Sequence, residues 1–208
     1  MTAPVDVTSG YRDRLLTHRV VIGQSVSAGL ADVDLDLAPE RLRQAIVRWA
    51  TAAAALTAAG QAMAAQLTAT YLAAYLSLTD AQPPPPVDLN SRVGRVPDDV
   101  PGSSLEDALM RAGVAVLWRL RSAPRADAVR YGQYAASRVT WTSVQDSATS
   151  VLDEVIDVHA EIVGWRRIAS ATACKRCVQA AERTYRSTEP LRRRHPSCRC
   201  SQEPIVRR

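Results

Sequence analysis

The C-terminal part of the chain contains Cys174-Lys-Arg-Cys177 followed by His195-Pro-Ser-Cys198-Arg-Cys200. All four cysteines and one of the three histidines lie in these two segments. Two thiolates separated by two residues can face one ion, and a second pair of ligands closes the tetrahedron that is usual for structural zinc. Soft sulfur ligands favour zinc over magnesium or calcium. The pattern predicts a structural Zn²⁺ site formed by Cys174, Cys177, His195 and either Cys198 or Cys200, so that one of the five candidates is spare.

Three other interpretations of the four cysteines compete with zinc. Two disulfides are possible, but they suit small secreted domains, and the chain begins Met-Thr-Ala-Pro-Val-Asp without an apolar signal segment. A redox CxxC is a second alternative, and it would normally begin a helix in a βαβ setting, which we do not expect here. Four buried, inert thiols are the third.

The charge of the chain is unevenly distributed. The net charge is +5, yet residues 164–208 hold 12 Lys and Arg against 3 Glu, whereas residues 1–163 hold 14 basic and 18 acidic groups. Such a basic region attracts phosphates or an acidic protein face. We predict such contacts for Arg192, Arg193, Arg194 and Arg199; alternatively, these arginines simply lie in a solvated loop.

The pattern upstream of the cysteines predicts a mainly α protein, a long-helix bundle with a small C-terminal β-rich zinc-binding module. Residues 1–80 are predicted to be an N-terminal helical region, with one helix from residue 10 to about 30 and a long Ala-rich helix over Pro39–Leu78. Apolar or small residues recur along the second helix at steps of three and four: Leu42, Ile46, Trp49, Ala53, Leu56, Gly60, Met63, Leu67, Tyr71, Tyr75 and Leu78. We expect other helices, or neighbouring subunits of a homo-oligomer, to bury this face.

The long helix raises the question of a membrane span. No charged residue occurs between Arg48 and Asp80, and that length could cross a bilayer. Gln61, Gln66 and several threonines interrupt the stretch, and alanine is only weakly apolar. We therefore expect a helix buried in protein and no membrane partner.

The middle of the chain divides at its prolines. Residues 81–102 are predicted to be a Pro-rich linker, because four consecutive prolines forbid a helix and favour an extended spacer. Residues 103–163 are predicted to form a helical hairpin. Ser103 followed by Glu106 fits a capping box at its start.

Residues 164–208 are predicted to be the small Cys/His zinc module. Short strands are expected over residues 165–169, 183–187 and 200–206, with Pro204 restricting the last strand to a sheet edge. Three short strands in about 45 residues cannot bury enough apolar surface to fold alone, and a bound metal would supply the missing stability.

A long helix, then Gly164-Trp-Arg-Arg-Ile168, then the two cysteine segments, resembles the phage Mu protein F-like family of minor head or head-morphogenesis proteins, in the form found in phages of actinobacteria. The resemblance is specific over residues 160–206, loose over the helices before them, and absent over the first 100 residues. Relatives usually carry glycine between the CxxC and the histidine, whereas this chain has Gln179-Ala-Ala-Glu-Arg183 there.

The resemblance implies a minor capsid component that enters the procapsid in few copies and acts in head assembly or DNA delivery. The implied partners are the portal protein, the major capsid or scaffold protein, and packaged DNA. The implied location is the virion, in the capsid interior or portal region, after assembly in the host cytoplasm. In this interpretation the helices and the basic zinc module are docking elements and the protein is not an enzyme.

Two other functions are compatible with the residues. A basic zinc module could bind nucleic acid without sequence specificity, through arginine contacts to phosphates. A nuclease would need a histidine general base and an open metal position. If His195 is a structural ligand, only His18 and His159 remain, and both lie far upstream. The sequence therefore favours a protein without catalytic activity.

Overall fold

The computed structural model describes residues 4–98, 100–170, 173–189 and 200–207. Within them the helices are α1 (Pro4–Ala31), α2 (Pro39–Leu78), α3 (Leu105–Arg119), α4 (Arg125–Val158) and α5 (Lys175–Ala181), and the strands are β1 (Ile162–Ile168), β2 (Thr184–Arg186) and β3 (Ser201–Val206). A single 3₁₀ turn covers Asn90–Arg92. The predicted class, mainly helical with a small sheet near the C-terminus, is confirmed.

The first helix is longer than predicted, whereas α2 has the predicted bounds. The prediction placed the start of the first helix at residue 10, but α1 begins at Pro4. Its early turns are held by contacts with α2: the Thr8 hydroxyl lies 3.2 Å from the Tyr71 hydroxyl, and the Tyr11 hydroxyl lies 2.9 Å from Thr68 Oγ1. These hydrogen bonds to α2 stabilise the first turns of α1, which the apolar pattern of the sequence does not predict.

The buried face of α2 follows the predicted seam only in part after Ala53, where Gly60, Tyr71 and Tyr75 are buried. Leu56, Met63 and Leu78 of that seam are exposed. Thr57, Gln61 and Thr68 are buried in their place.

The buried polar residues of α2 have hydrogen-bond partners, which is why burial is tolerated. Thr57 Oγ1 donates to Ala53 O at 2.8 Å, and Thr68 Oγ1 donates to Ala64 O at 2.8 Å. Gln61 Nε2 donates to Arg95 O at 2.7 Å.

The cap of α3 lies one residue later than predicted. Ser104, not Ser103, is the N-cap, and its hydroxyl accepts a hydrogen bond from the Asp107 amide at 3.1 Å. The Ser103 amide donates to Asp107 Oδ2 at 3.0 Å, so Asp107 takes the role predicted for Glu106. This amide contact, with help from Arg111, lowers the pKa of Asp107.

The described residues form two compact units that do not follow chain order. The hairpin unit comprises His18–Gln61 and Val93–Gln145. The sheet unit comprises the described residues of Met1–Thr17, Ala62–Arg92 and Asp146–Arg208. Helices α1, α2 and α4 each contribute residues to both units.

The hairpin unit has an apolar core between its helices. Its larger buried members are Val26, Leu30, Trp49, Leu109, Val116 and Val139. Trp49 Nε1 donates to Val26 O at 3.1 Å, which satisfies the one polar atom of that ring. Gly132 allows α3 and α4 to approach closely, since a Cβ at this position would lie 2.3 Å from Val116 Cγ2.

The sheet unit contains a three-stranded antiparallel sheet in the order β2-β1-β3. All three predicted strands are present, and the central one starts at Ile162 because α4 ends at Val158, before the predicted boundary at residue 163. Pro204 lies on the edge strand β3, as predicted. In this register Trp165 of β1 is opposite Tyr185 on one side and Pro204 on the other.

The uncharged part of α2 extends from Trp49 to Leu78. Across the described residues, no helix carries a stretch long and apolar enough to cross a bilayer.

Candidate metal centre

The CxxC segment begins helix α5, which follows β1. Cys174 is the N-cap residue in an extended conformation, and its carbonyl accepts hydrogen bonds from the amides of Cys177 at 2.9 Å and Val178 at 3.1 Å. The two cysteines therefore lie one helical turn apart. A helix does start at this CxxC, but the neighbouring strands β1 and β2 are antiparallel, so the parallel βαβ setting is absent, as expected.

Three of the five predicted ligands come together. Cys174, Cys177 and Cys200 lie 3.4–3.7 Å from one another. The sheet causes this convergence, because Ser201 pairs with Ile168 and so places Cys200 beside the end of β1. Cys177 and Cys200 are buried, and Ala169 and Ala173 pack against them; Cys174 is exposed.

The spacing of the three cysteines suits a shared ion. With Zn–S bonds of about 2.3 Å, two sulfur ligands of a tetrahedral zinc are about 3.8 Å apart. No disulfide joins these three residues. Nevertheless, no group of three or more His, Cys, Asp or Glu side chains among the described residues meets the geometry of a metal site. The three thiols therefore do not by themselves form a recognisable metal site in the described part of the chain.

The remaining predicted site residues lie outside the described residues. These are the candidate ligands His195 and Cys198 and the candidate contact residues Arg192, Arg193, Arg194 and Arg199. The choice of the fourth ligand and the arginine contacts remain predictions.

An aromatic pair holds the cysteine-bearing helix on the sheet. Trp165 and Tyr185 stack across β1 and β2, with ring centroids 4.0 Å apart and planes 8° apart. Trp165 Nε1 donates to Glu189 O at 2.9 Å, and the Tyr185 hydroxyl donates to Ala180 O at 2.9 Å. The second bond ties the end of α5 to β2. The sequence shows both rings, but only the strand register shows that they meet.

The module also carries exposed basic side chains. Lys175, Arg176, Arg186 and Arg207 are exposed, and none forms an ion pair with another described residue. Arg166 and Arg183, by contrast, pair with Glu203 and Glu189. The basic character predicted from the sequence is therefore presented to solvent by the described part of the module.

No protein family, curated protein or solved structure matches the chain. The cysteine cluster and the contacts that position it are the features from which a function is inferred.

A buried carboxylate joins the module to the first two helices, and sequence reasoning missed it. Glu203 of β3 is 2% exposed; it accepts a hydrogen bond from Thr8 Oγ1 at 3.1 Å and pairs with Arg166. The Tyr75 hydroxyl donates to Pro204 O at 2.8 Å. Both ends of the described chain thus meet in the sheet unit.

Tyr71 lies beside this network, and it makes the stability of the protein depend on pH in the alkaline range. Burial, with a smaller contribution from Glu203, raises the pKa of Tyr71 above its ordinary value of 10.0. The unfolded state therefore ionises first, and the stability present below pH 10 is lost as the pH rises above it. The ionisation of this one hydroxyl lowers the free energy of unfolding by up to about 1.4 kcal/mol per pH unit.

Tyr71→Phe, which cannot ionise, is expected to flatten this decline between about pH 10 and 11. The measurement is urea unfolding at each pH. Tyr134→Phe, at an exposed tyrosine, is the matched control. Equal slopes for wild type and Tyr71→Phe would contradict the assignment.

Proposed function

We propose that this protein is a minor capsid or head-morphogenesis protein of a tailed phage, acting without catalysis in procapsid assembly at or near the portal. The supporting observation is the convergence of Cys174, Cys177 and Cys200 in a module that follows the long helix α4. The resemblance to phage Mu protein F-like proteins rests on the same order of elements. The proposed location is the virion, in the capsid interior or portal region.

In this proposal a structural zinc ion stabilises the module. The ligands would be Cys174, Cys177, Cys200 and His195, which leaves Cys198 as the spare residue. A metal would add stability to a small core, because Trp165 and Tyr185 are the only large aromatic side chains buried in the described part of residues 164–208. Zinc binding contributes directly to folding in modules of this size.

The zinc proposal predicts about one zinc ion per chain in protein purified without chelator. Cys177→Ser and His195→Ala should lose the metal, because three ligands hold zinc much less tightly than four. Val178→Ser is the matched control, since Val178 is the exposed neighbour of Cys177. Elemental analysis gives the metal content.

Cys198→Ser separates the two candidate fourth ligands. Retention of zinc by this variant supports His195, and loss of zinc assigns Cys198 instead. Wild-type protein without metal, in which thiol titration shows paired cysteines, would overturn the zinc site.

The assembly role is tested by co-expression with the portal protein encoded in the same genome, followed by size-exclusion chromatography. We expect the two proteins to elute together, Cys177→Ser to weaken the association, and Val178→Ser to preserve it. A monomer that binds neither portal nor major capsid protein would refute the assembly role, whatever its metal content.

The exposed basic side chains favour a second candidate, sequence-independent binding to nucleic acid. Lys175, Arg176, Arg186 and Arg207 would contact phosphates, and affinity should then fall steeply as salt rises. Fluorescence anisotropy with duplex DNA over a salt series measures this slope. Binding that is undetectable or insensitive to salt rules this candidate out.

A further inference from the structure

The α3–α4 hairpin exposes three large aromatic side chains. Trp118 is 67% exposed, Tyr134 65% and Tyr131 44%. All three lie in the hairpin unit, away from the cysteines in sequence. Clusters of exposed rings are unusual on a soluble surface unless a partner covers them, because burying them is favourable.

Tyr131 and Tyr134 border a groove between the two helices, with a volume of about 330 Å³. Its lining includes the aromatic side chains Tyr131 and Tyr134 and the basic side chains Arg111 and Arg138. Small residues form much of the rest: Ala108, Ala112, Ala115 and Ala135. Trp118 extends the groove, since helical spacing places it on the same stripe of α3 as Arg111 and Ala115. We call this surface the aromatic–arginine groove.

The groove lies in a strongly basic part of the chain. Residues 108–145 contain six arginines and a single acidic residue, Asp127. Asp127 pairs with Arg130, and Arg125 pairs with Asp36. The Arg119 guanidinium lies over the Tyr131 ring, 4.3 Å from its centroid, and Arg121 lies 5.2 Å from the centroid of Trp118.

Most of the positive charge on this surface is not neutralised by carboxylates. Arg111 contacts Asp107 at 3.4 Å, while Arg119, Arg121 and Arg138 form no ion pair with another described residue. A partner with negative charge is therefore electrostatically complementary to the groove.

We infer that the aromatic–arginine groove binds an amphipathic helix of a partner protein, whose apolar face is flanked by Asp or Glu. The alanines let a helix backbone approach closely, as in helix-in-groove recognition. From residue 108 to 118 the groove follows α3 for about 15 Å, enough for nearly three turns of a partner helix. Trp, Tyr and Arg are also the residue types that contribute most to protein interfaces.

An acidic protein helix fits better than single-stranded nucleic acid, which also stacks on aromatic side chains. Nucleic acid requires a positive track for each successive phosphate. Here small apolar residues occupy much of the groove, and the guanidinium groups of Arg119 and Arg121 lie over the aromatic rings that bases would stack on. The inference goes beyond the proposed function and does not depend on the metal, so each can fail separately.

The test uses the full-length protein and a fluorescein-labelled helical peptide of about 20 residues, with leucines on one face and glutamates beside them. Anisotropy gives the Kd. Trp118→Ala, Tyr134→Ala and Arg138→Glu are each expected to weaken binding about tenfold or more. Val21→Ala and Arg43→Glu are exposed controls in the same unit and should change the Kd less than about twofold.

A peptide of the same composition with its leucines distributed around the helix should bind weakly. Three results would overturn the inference: no binding of the amphipathic peptide, equal binding of the rearranged peptide, or equal losses for Arg138→Glu and Arg43→Glu. Tighter binding of an oligothymidylate of about 20 nucleotides, with the same dependence on Trp118 and Tyr134, would assign the surface to single-stranded nucleic acid instead.

Discussion

Trp165→Ala is expected to destabilise the protein by about 3–5 kcal/mol, the range for truncating a fully buried tryptophan. Trp165 is 1% exposed on the central strand β1, where its ring stacks on Tyr185. Truncation removes this contact and leaves a cavity between the sheet and its neighbours. The carbonyl of Glu189, which accepts a hydrogen bond from the indole, also loses that partner.

Trp118→Ala is the matched control, since it removes the same atoms from an exposed position. Its free energy of unfolding should stay within about 0.5 kcal/mol of wild type. Urea unfolding followed by far-ultraviolet circular dichroism gives both values. If the two variants are equally stable, the stack on Tyr185 does not hold the sheet together.

Gly164→Ala is expected to cost about 3 kcal/mol, at the upper end of the range for inserting one carbon into a packed site. A Cβ at Gly164 would lie 2.2 Å from the carbonyl oxygen of Tyr185. This obstacle is backbone on the paired strand β2, so it cannot rotate away as a side chain would. The steric overlap is relieved only if β1 and β2 separate. That movement displaces Trp165 and the segment that carries Cys174.

Gly10→Ala provides the control, because a Cβ at Gly10 has no atom within 4 Å and the residue lies in helix α1. The substitution should stabilise the protein by about 0.5–1 kcal/mol through helix propensity. We also expect Gly164→Ala to bind less zinc than Gly10→Ala if the metal site forms as proposed. Equal stability of the two variants would refute the steric argument.

Features encoded by neighbouring residues are predictable from this sequence. The bounds of α2 follow from Pro39 and the apolar period, and the three strands follow from short segments rich in β-forming residues. The approach of Cys177 to Cys174 is likewise local, whereas Cys200 joins them only through the pairing of Ser201 with Ile168.

Features that depend on distant partners are not predictable in this way. Gln61 counted as a polar interruption of the long helix, yet it is buried because Arg95 O accepts its hydrogen bond. Glu203 counted only as part of an edge strand, yet it is buried against Thr8, 195 residues away in the chain. Local sequence patterns do not reveal such partners, because each of these buried polar groups forms its hydrogen bond with a residue from another element.

The hydrogen bond between Thr8 and Glu203 also bears on when the protein can fold during its synthesis. At 5–20 residues per second, about 10 to 40 s separate the translation of these two residues. Thr8, Tyr71 and Tyr75 are all made well before the strand that they contact. Until that strand is made, the nascent chain exposes a surface that the same strand of another copy could bind. Contacts between residues so far apart in sequence also form slowly. A chaperone that covers this surface until β3 is made should therefore raise the yield of correctly folded protein.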